Sequence, residues 1–217
     1  MIPTDIPLLA RLVNSRLYVL VDGRNSERQF RELISELVEA KVDLLQLRDK
    51  RLADRELLQR ARILRQMTGG TPTLFIMNDR PDLAILADAD GVHVGQEELT
   101  VQDVRQVLGP HRLVGVSTHT VLQVRQATAD GVDYIGCGPT FPSVTKAFAT
   151  FSGLTFLRQA ANQTTLPAYA IGGIQLDNLH RVIESGFQRV AVGAAIVDSN
   201  DPARSVAMFR AALADDD

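Results

Sequence analysis

Residues 74–81 read "LFIMNDRP", an apolar run that ends abruptly in Asn78, Asp79 and Arg80. The run lacks alternation of polar and apolar residues, which predicts a strand covered on both faces, as in a parallel sheet. Pro81 prevents the backbone from continuing the hydrogen-bonded ladder. The polar ending is explained either by solvation of a loop or by a functional site, and the remaining sequence bears on that choice.

Seven further runs of this kind follow the same pattern, and amphipathic segments separate them. Residues 26–41 and 54–67 repeat apolar residues at helical spacing. Residues 201–214 predict a last helix, with Asp201 as its N-cap and Pro202 at its first position. The eight runs are residues 17–22, 42–48, 73–78, 91–95, 112–118, 132–138, 167–173 and 189–196.

Eight strand–helix units in 217 residues predict one α/β domain, a single (β/α)8 TIM barrel. We expect the barrel to span residues 17–213, after an N-terminal helical extension of residues 1–16, so that 1–217 form one domain. A doubly wound open sheet is the competing fold. It usually has fewer strands, and the first strand–helix turn, "VDGRNS" (21–26), lacks the GxGxxG fingerprint of dinucleotide-binding sheets.

Composition narrows the class of protein. The 23 basic and 26 acidic residues give a net charge of −3, which argues against a nucleic-acid partner. The single cysteine, Cys137, excludes an intramolecular disulfide. No stretch approaches the ~20 apolar residues that cross a bilayer, and the N-terminus does not resemble a signal peptide. We therefore expect a cytoplasmic protein without membrane contact; its oligomeric state stays open, a homo-oligomer included.

Charged side chains follow several of the predicted strands. In a barrel the carboxyl ends of all strands meet at one rim, so Arg48, Lys50 and Lys146 should lie near Asp79 and Glu98. Guanidinium and ammonium groups bind phosphate oxygens, and carboxylates are ligands that Mg²⁺ prefers. The pattern predicts a site for a pyrophosphate with Mg²⁺.

The last two strands end in glycines. "AIGGI" (170–174) and "AVGAAI" (191–196) place Gly172, Gly173 and Gly193 where strand passes into helix. Exposed backbone N–H groups at such turns bind phosphate, which barrels often hold after strands 7 and 8. Two anion sites on one rim indicate two phosphorylated substrates.

Eight motifs, in order from the first predicted strand to the last, carry a family resemblance. They are "LYVLVD" (17–22), "LQLRDK" (45–50), "FIMNDR" (75–80), "ADGVHVGQEEL" (89–99), "VGVSTHT" (114–120), "DYIGCGPTFPSVTK" (133–146), "AIGGI" and "AVGAAI". Together they resemble the thiamine-phosphate synthase family, over about residues 17–213. The resemblance implies a transferase of thiamine biosynthesis that joins 4-amino-2-methyl-5-hydroxymethylpyrimidine pyrophosphate to a thiazole phosphate and releases pyrophosphate by a dissociative, Mg²⁺-assisted route.

The resemblance also implies roles for particular residues. Those expected to contact the pyrimidine pyrophosphate are Gln46, Arg48, Lys50, Asn78, Ser117 and Lys146, among which Arg48, Lys50, Ser117 and Lys146 are expected to be catalytic. The metal ligands would be Asp79 and Glu98. Those expected to hold the thiazole phosphate are Ser143, Val144, Thr145, Gly172, Gly173, Gly193 and Ala194.

Three positions depart from the family pattern. Glu98 stands where aspartate is usual, which keeps the charge but lengthens the side chain by one methylene. Ala194 replaces a serine and so removes a hydroxyl. Ala147 replaces the proline that usually follows the threonine–lysine pair, which bears on how the loop after Ser143 behaves.

Each site residue also has a purely structural interpretation. Asp79 could cap a helix, and Glu98 could be an acid in a first helical turn, where the helix dipole favours it. Arg48 and Lys50 could form rim ion pairs with Asp49, which contribute little. The two glycines of "AIGGI" could serve only as turn formers.

Two other functions compete with the synthase. A thiazole tautomerase would share the fold and the thiazole-phosphate site, with His119 as acid or base, but would not need a pyrophosphate clamp. A non-catalytic homologue would bind a thiamine precursor without turnover.

His93 lies inside a predicted strand and is expected to be a hydrogen-bonded core residue, whereas His111 and His180 are expected at the surface.

Overall fold

The computed structural model describes residues 7–142 and 152–214. Its eight strands form a closed parallel barrel in which each strand pairs with its neighbours in sequence, and the first pairs with the last. The strands are β1 Leu17–Val21, β2 Leu44–Leu47, β3 Leu74–Asn78, β4 Gly91–Val94, β5 Leu113–Thr118, β6 Tyr134–Cys137, β7 Ala168–Ile171 and β8 Val190–Val192. The predicted (β/α)8 TIM barrel is confirmed.

Helices alternate with the strands and cover the outside of the barrel. They are α1 Leu8–Val13, α2 Glu27–Glu39, α3 Asp54–Thr68, α4 Pro81–Leu86, α5 Val101–Leu108, α6 Val121–Ala129, α7 Gly153–Ala161, α8 Leu179–Ile183, α9 Ala194–Val197 and α10 Pro202–Leu213. Among the described residues, no helix combines the length and the apolar character that crossing a bilayer requires.

The helix signals in the sequence correspond to observed caps and buried faces. Ser26 accepts a hydrogen bond from Gln29 N at the start of α2, whose buried face carries Phe30, Leu33, Ile34 and Leu37. Asp201 accepts from Arg204 N at the start of α10, and Pro202 occupies the first helical position. Side-chain capping of this kind satisfies backbone donors that have no partner within the helix.

The eighth predicted run is wrong in its second half. β8 ends at Val192, and Ala194–Val197 form the short helix α9 instead of continuing the strand. Gly193 lies between the two with φ −113° and ψ −102°, and its carbonyl accepts from Val197 N. Glycine tolerates this backbone conformation, and the alanines that follow favour helix.

Alternate residues of each strand supply two separate cores. Outward-facing residues pack against the helices in a large cluster that includes Val19, Leu45 and Phe75. Inward-facing residues fill the barrel interior; the buried members of that cluster are Leu12, Tyr18, Leu44, Leu74, Ile76, Leu113, Tyr134, Tyr169 and Ala191. Leu12 comes from α1, so this helix closes the amino end of the barrel.

Three aspartates, each directly before an even-numbered strand, tie adjacent strands together at the amino end. Each carboxylate accepts a backbone N–H near the start of the preceding strand, and each pairs with an arginine from a helix. The backbone bonds join Asp43 to Leu17 N at 2.9 Å, Asp90 to Phe75 N at 2.7 Å and Asp133 to Val114 N at 2.7 Å. The arginines are Arg210, Arg65 and Arg105, at 3.0, 3.0 and 2.7 Å.

We predict that Asp133→Ala lowers the free energy of unfolding by about 1–3 kcal/mol, because it leaves Val114 N without its acceptor and Arg105 without its partner. Urea denaturation measures the change. Asp177→Ala is the matched control, since Asp177 is exposed and its loss should change stability by less than about 0.5 kcal/mol. Equal effects of the two substitutions would contradict this account of the amino end.

Candidate functional site

The polar residues predicted for the site continue the inward-facing rows of the barrel strands. On β2 the inward residue Leu44 is followed at steps of two by Gln46 and Arg48. On β3 the inward residue Ile76 is followed by Asn78. Because alternate strand residues share a face, these three polar side chains lie above the interior apolar layers, at the carboxyl end of the barrel.

On the opposite side of the barrel, predicted site residues also continue the inward-facing rows of the strands. Leu113 faces inward on β5, and Ser117 lies four residues further along the same face. Ala191 faces inward on β8, and Gly193 follows it at the junction with α9. The carboxyl rim therefore receives predicted site residues from β2, β3, β5 and β8.

Lys50 joins two loops beyond these strands. Its Nζ lies 3.3 Å from Asp79 Oδ2 and 3.5 Å from Glu98 Oε1, so the loops after β2, β3 and β4 meet at one ammonium group. Asp79 is the less accessible of the two acids, with 17% of its side chain exposed against 38% for Glu98. The structure thus brings together three of the five charged residues that the sequence predicted at this rim.

The backbone of Asp79 is strained. Its φ of 58° lies in the left-handed region, which is uncommon for residues other than glycine and tends to occur at functional sites. Two hydrogen bonds hold it there: its N–H donates to His93 O at 2.8 Å, and Asn78 Nδ2 donates to its Oδ2 at 2.7 Å. These bonds fix the direction in which the carboxylate points.

The structural interpretations of the two acids do not hold. Helix α4 has Arg80 as its N-cap residue and no side-chain cap, so Asp79 does not cap it. Thr100 caps α5, which places Glu98 before that helix and outside its first turn. Both carboxylates therefore lie on the rim without a role in starting a helix.

Asp49, in the middle of "QLRDK", is structural. Its side chain is fully buried and accepts from the backbone N–H groups of Gly23, Arg51 and Leu52, while the Arg51 guanidinium pairs with it at 3.1 Å. Burial alone would raise the pKa of Asp49, but the bonds from Arg51, Gly23 and Leu52 outweigh it and lower the pKa to about 2. The expected alternative pairing of Asp49 with Arg48 or Lys50 is absent among the described residues.

Arg48 is the unusual cation of the rim. It is half-buried, yet its side chain makes no hydrogen bond or ion pair with any residue of 7–142 or 152–214. A partly desolvated guanidinium without a partner costs free energy, and its five donors suit carboxylate or phosphate oxygens. This side chain is the strongest indication of an anion site in the described structure.

Arg80 completes the polar ending of β3 but belongs to the surface. Its guanidinium pairs with Asp54 at 2.6 Å and with Asp82 at 2.7 Å, joining the starts of α3 and α4. The stretch "NDR" is therefore divided: Asn78 and Asp79 lie at the site, and Arg80 ties two helices together.

Both glycines of "AIGGI" are required by backbone and by packing. Gly172 and Gly173 have φ values of 99° and 63°, and a Cβ on Gly173 would lie 2.5 Å from Pro142 O. Phe141 N donates to Gly172 O at 2.9 Å, so the β6–α7 loop is bound to this turn. The Gly173 N–H donates to no other residue of the described ranges, which leaves this donor for a ligand.

Part of the predicted site lies outside the described residues. This holds for Ser143, Val144, Thr145 and Lys146 and for the departure at Ala147. Ala194 is the first residue of α9, next to Gly193.

The histidines differ in their surroundings. His93 is buried, as expected, and burial lowers its pKa to about 4. His119 Nδ1 donates to Gly138 O at 2.5 Å, and the single hydrogen of the Ser152 hydroxyl lies within reach of the carbonyls of both His119 and Gly138. These bonds give His119 a structural role, to hold the start of the β6–α7 loop; His111 and His180 are exposed.

Sequence reasoning missed a set of polar contacts inside the barrel. The hydroxyls of Tyr18 and Tyr134 lie 3.0 Å apart, Gln46 Nε2 donates to Tyr18, and His93 lies between Tyr134 and Ser117. The available signal was that both tyrosines occupy inward positions, where an apolar residue would be expected.

The described residues contain no group of three or more His, Cys, Asp or Glu side chains that could hold a metal ion. Asp79 and Glu98 instead form a pair of carboxylates that face one cation, Lys50. Two carboxylates suit Mg²⁺ when substrate phosphates and water complete its octahedral shell.

We predict that Asp49→Asn costs about 1–3 kcal/mol of unfolding free energy at pH 6, because it weakens three backbone bonds and an ion pair. The folded pKa of Asp49 lies below the ordinary value of 3.8. The carboxylate therefore stabilises the fold fully above pH ~4, and this contribution is lost as the pH falls towards about 2. Urea unfolding of native chain and variant at several pH values should show the difference narrowing in that window; a constant difference would contradict the assignment.

Fold and rim together define a class: a single parallel (β/α)8 barrel that gathers Lys50, Asp79 and Glu98 at the carboxyl end of its strands. Comparison with known proteins narrows this class. A sequence model of the family described as thiamine monophosphate synthase matches residues 17–196. The thiamine-phosphate synthase of Rhodopirellula baltica is 48% identical over 191 residues, which cover 86% of this chain and 51% of that protein. That of Shouchella clausii is 38% identical over 188 residues, covering 86% and 90%.

A solved structure supports the same family. The thiamine phosphate pyrophosphorylase from Pyrococcus furiosus superposes with a TM-score of 0.82 at 30% identity, covering 95% of this chain and 97% of that one. The chain belongs to the thiamine monophosphate synthase family. It spans about half the length of several curated relatives that it matches, those of R. baltica and Synechococcus among them.

Proposed function

We propose that this chain is a thiamine-phosphate synthase, which transfers the pyrimidinylmethyl group of 4-amino-2-methyl-5-hydroxymethylpyrimidine pyrophosphate to a thiazole phosphate and releases pyrophosphate. Family membership supports the reaction class. The observation that carries the proposal for this chain is the rim. There Lys50 pairs with Asp79 and Glu98, and Arg48, two residues before Lys50, has a side chain without a partner in the described ranges.

The main task of such a site is electrostatic. When the carbon–oxygen bond of the pyrimidine pyrophosphate breaks, negative charge accumulates on the leaving pyrophosphate. Arg48 and Lys50 neutralise this charge, and Lys146 would add a third cation. Preorganised charges of this kind stabilise a transition state without reorganising during the reaction.

Neutral polar groups complete the proposed pyrimidine pyrophosphate site. Gln46 and Ser117 extend the inward-facing rows of β2 and β5, and Asn78 at the end of β3 donates to Asp79. Amide and hydroxyl groups can orient the pyrimidine ring and the phosphate oxygens without adding charge. Orientation matters because the thiazole nitrogen must meet the pyrimidine-stabilised cation in line.

Asp79 and Glu98 are the proposed Mg²⁺ ligands. They fit the ion because two oxygen donors on neighbouring loops already face one positive charge, that of Lys50, and the strained backbone of Asp79 fixes its direction. Bound Mg²⁺ supplies neutralisation of pyrophosphate oxygens. Glu98 reaches Lys50 despite its extra methylene, so the departure from aspartate keeps the charge at the rim.

The thiazole phosphate is proposed to bind at the β7 and β8 ends. The Gly173 N–H, which has no acceptor in the described ranges, supports this role, and the turns at Gly172 and at Gly193 and Ala194 would add to the site. We propose that Ser143, Val144 and Thr145 complete the site from the β6–α7 loop. The substrates are thus small molecules. We propose a cytoplasmic enzyme in which residues 1–217 form one domain, without a nucleic-acid or membrane partner.

A coupled assay of pyrophosphate release tests the function. With both substrates and Mg²⁺ we expect turnover, and Asp79→Asn should lower it by about two orders of magnitude or more, because several kcal/mol of metal-assisted stabilisation is lost. Asparagine tolerates the left-handed backbone at this position, so the variant should fold.

Asp82→Asn is the matched control, because Asp82 is exposed on α4 and pairs with Arg80, whereas Asp79 pairs with Lys50. It should retain full turnover. Release of pyrophosphate without the thiazole phosphate, or equal loss in both variants, would refute the proposed reaction. Binding of both substrates without turnover would instead favour a non-catalytic homologue.

A second prediction separates binding from stability. Arg48→Met should weaken binding of inorganic pyrophosphate with Mg²⁺ by about 10–100-fold, while the free energy of unfolding stays the same or rises, because an unpaired cation is removed. Titration calorimetry and urea unfolding give the two quantities. Arg51→Met should show the reverse: lower stability, because Asp49 loses its partner, with pyrophosphate affinity unchanged.

A further inference from the structure

A continuous hydrogen-bond chain crosses the barrel interior from β2 to β5. Gln46 Nε2 donates to the Tyr18 hydroxyl at 2.5 Å, and that hydroxyl lies 3.0 Å from the hydroxyl of Tyr134. Tyr134 lies 3.3 Å from His93 Nδ1, and His93 Nε2 lies 2.9 Å from Ser117 Oγ. Both ends of the chain, Gln46 and Ser117, are proposed ligands of the pyrimidine pyrophosphate.

Small residues on two strands make room for this chain. A Cβ on Gly115 would lie 2.1 Å from the ring of Tyr134, and one on Gly136 would lie 3.4 Å from the ring of His93. The two rings lie 5.4 Å apart between their centroids. The interior is thus shaped around the rings, and no larger side chain at Gly115 would fit.

The direction of every bond follows from the first. An amide nitrogen can only donate, so Tyr18 accepts from Gln46 and passes its own hydrogen to Tyr134. Among the described residues, Tyr134 then has only His93 Nδ1 to donate to. Accepting at Nδ1 places the hydrogen of the neutral imidazole on Nε2, from which it is donated to Ser117. Since Ser117 Oγ has no other partner among the described residues, its hydrogen is left to point towards the rim.

We propose that this chain sets the polarity of the Ser117 hydroxyl, so that it meets the substrate as a hydrogen-bond donor. Tyr18, Tyr134 and His93 are then positioning residues. The inference rests on the proposed function, because a donor at Ser117 suits a phosphoryl oxygen, which only accepts. A chain running the other way would present the lone pairs of Ser117 to an anion and weaken its binding.

The tautomer of His93 tests the polarity without any ligand. Nitrogen-15 chemical shifts of the labelled full chain at neutral pH should show His93 protonated at Nε2 and unprotonated at Nδ1. Tyr134→Phe removes the donor to Nδ1 and should produce a mixture of the two tautomers. A native protein in which His93 carries its hydrogen on Nδ1 would overturn the proposal outright.

Tyr169→Phe is the matched control. Tyr169 is equally buried in the same interior cluster, but its hydroxyl bonds to Ser15 and is not part of the hydrogen-bond chain. The substitution removes one buried hydroxyl, as Tyr134→Phe does, so a general loosening of the core should affect both variants alike. We expect the Nε2 tautomer of His93 to persist in Tyr169→Phe; its loss there would contradict the proposed route through Tyr134.

Binding of inorganic pyrophosphate with Mg²⁺ tests the consequence. We expect Tyr134→Phe to weaken binding by about 3–10-fold, and Ser117→Ala by about 10-fold or more, as measured by titration calorimetry. In the double variant, Tyr134→Phe should add little, because its effect acts through Ser117. Full additivity would overturn the proposal. If the native protein does not bind pyrophosphate, the proposed function fails, and the donor role of Ser117 fails with it. The tautomer of His93 would still decide the polarity of the hydrogen-bond chain.

Discussion

The hydrogen-bonded ladder between β1 and β8 is the constraint on which the rest of the molecule depends. It pairs Leu17 with Val190 and Val19 with Val192, and by doing so turns an open parallel sheet into a closed barrel. Closure removes both edges of the sheet, which would otherwise expose unpaired backbone groups. It also gathers eight carboxyl ends on one rim, and all of the proposed chemistry takes place there.

The two rims of the barrel are used in opposite ways. At the amino end, each of the carboxylates of Asp43, Asp90 and Asp133 has a backbone donor and an arginine partner. At the carboxyl end, the Arg48 side chain has no partner in the described part of the chain, Asp79 has a strained backbone, and Lys50 is shared between two acids. Well-satisfied contacts at one end thus offset unfavourable features at the other, which is typical of binding sites.

Much of this architecture could be predicted from the sequence, because uninterrupted apolar runs and helix caps are local signals. The end of the eighth run could not, since "AVGAAI" is compatible with either strand or helix until Gly193 is placed. The roles of Arg48, Asp49 and Lys50 could be assigned only from the structure. Side chains of neighbouring loop residues point in different directions, and the sequence does not show that Asp49 pairs with Arg51. The interior hydrogen-bond chain joins residues from five stretches of sequence, so no local pattern could reveal it.

The placement of the tyrosines has a practical consequence. The chain has no tryptophan and only three tyrosines, and all three lie fully buried inside the barrel, with ring centroids 5.3 to 5.9 Å apart. Tyrosine emission of the unlabelled protein therefore originates entirely from the barrel interior. The helices and loops contribute no tyrosine or tryptophan signal, so the native chain carries a built-in optical probe of the interior directly beneath its proposed substrate site.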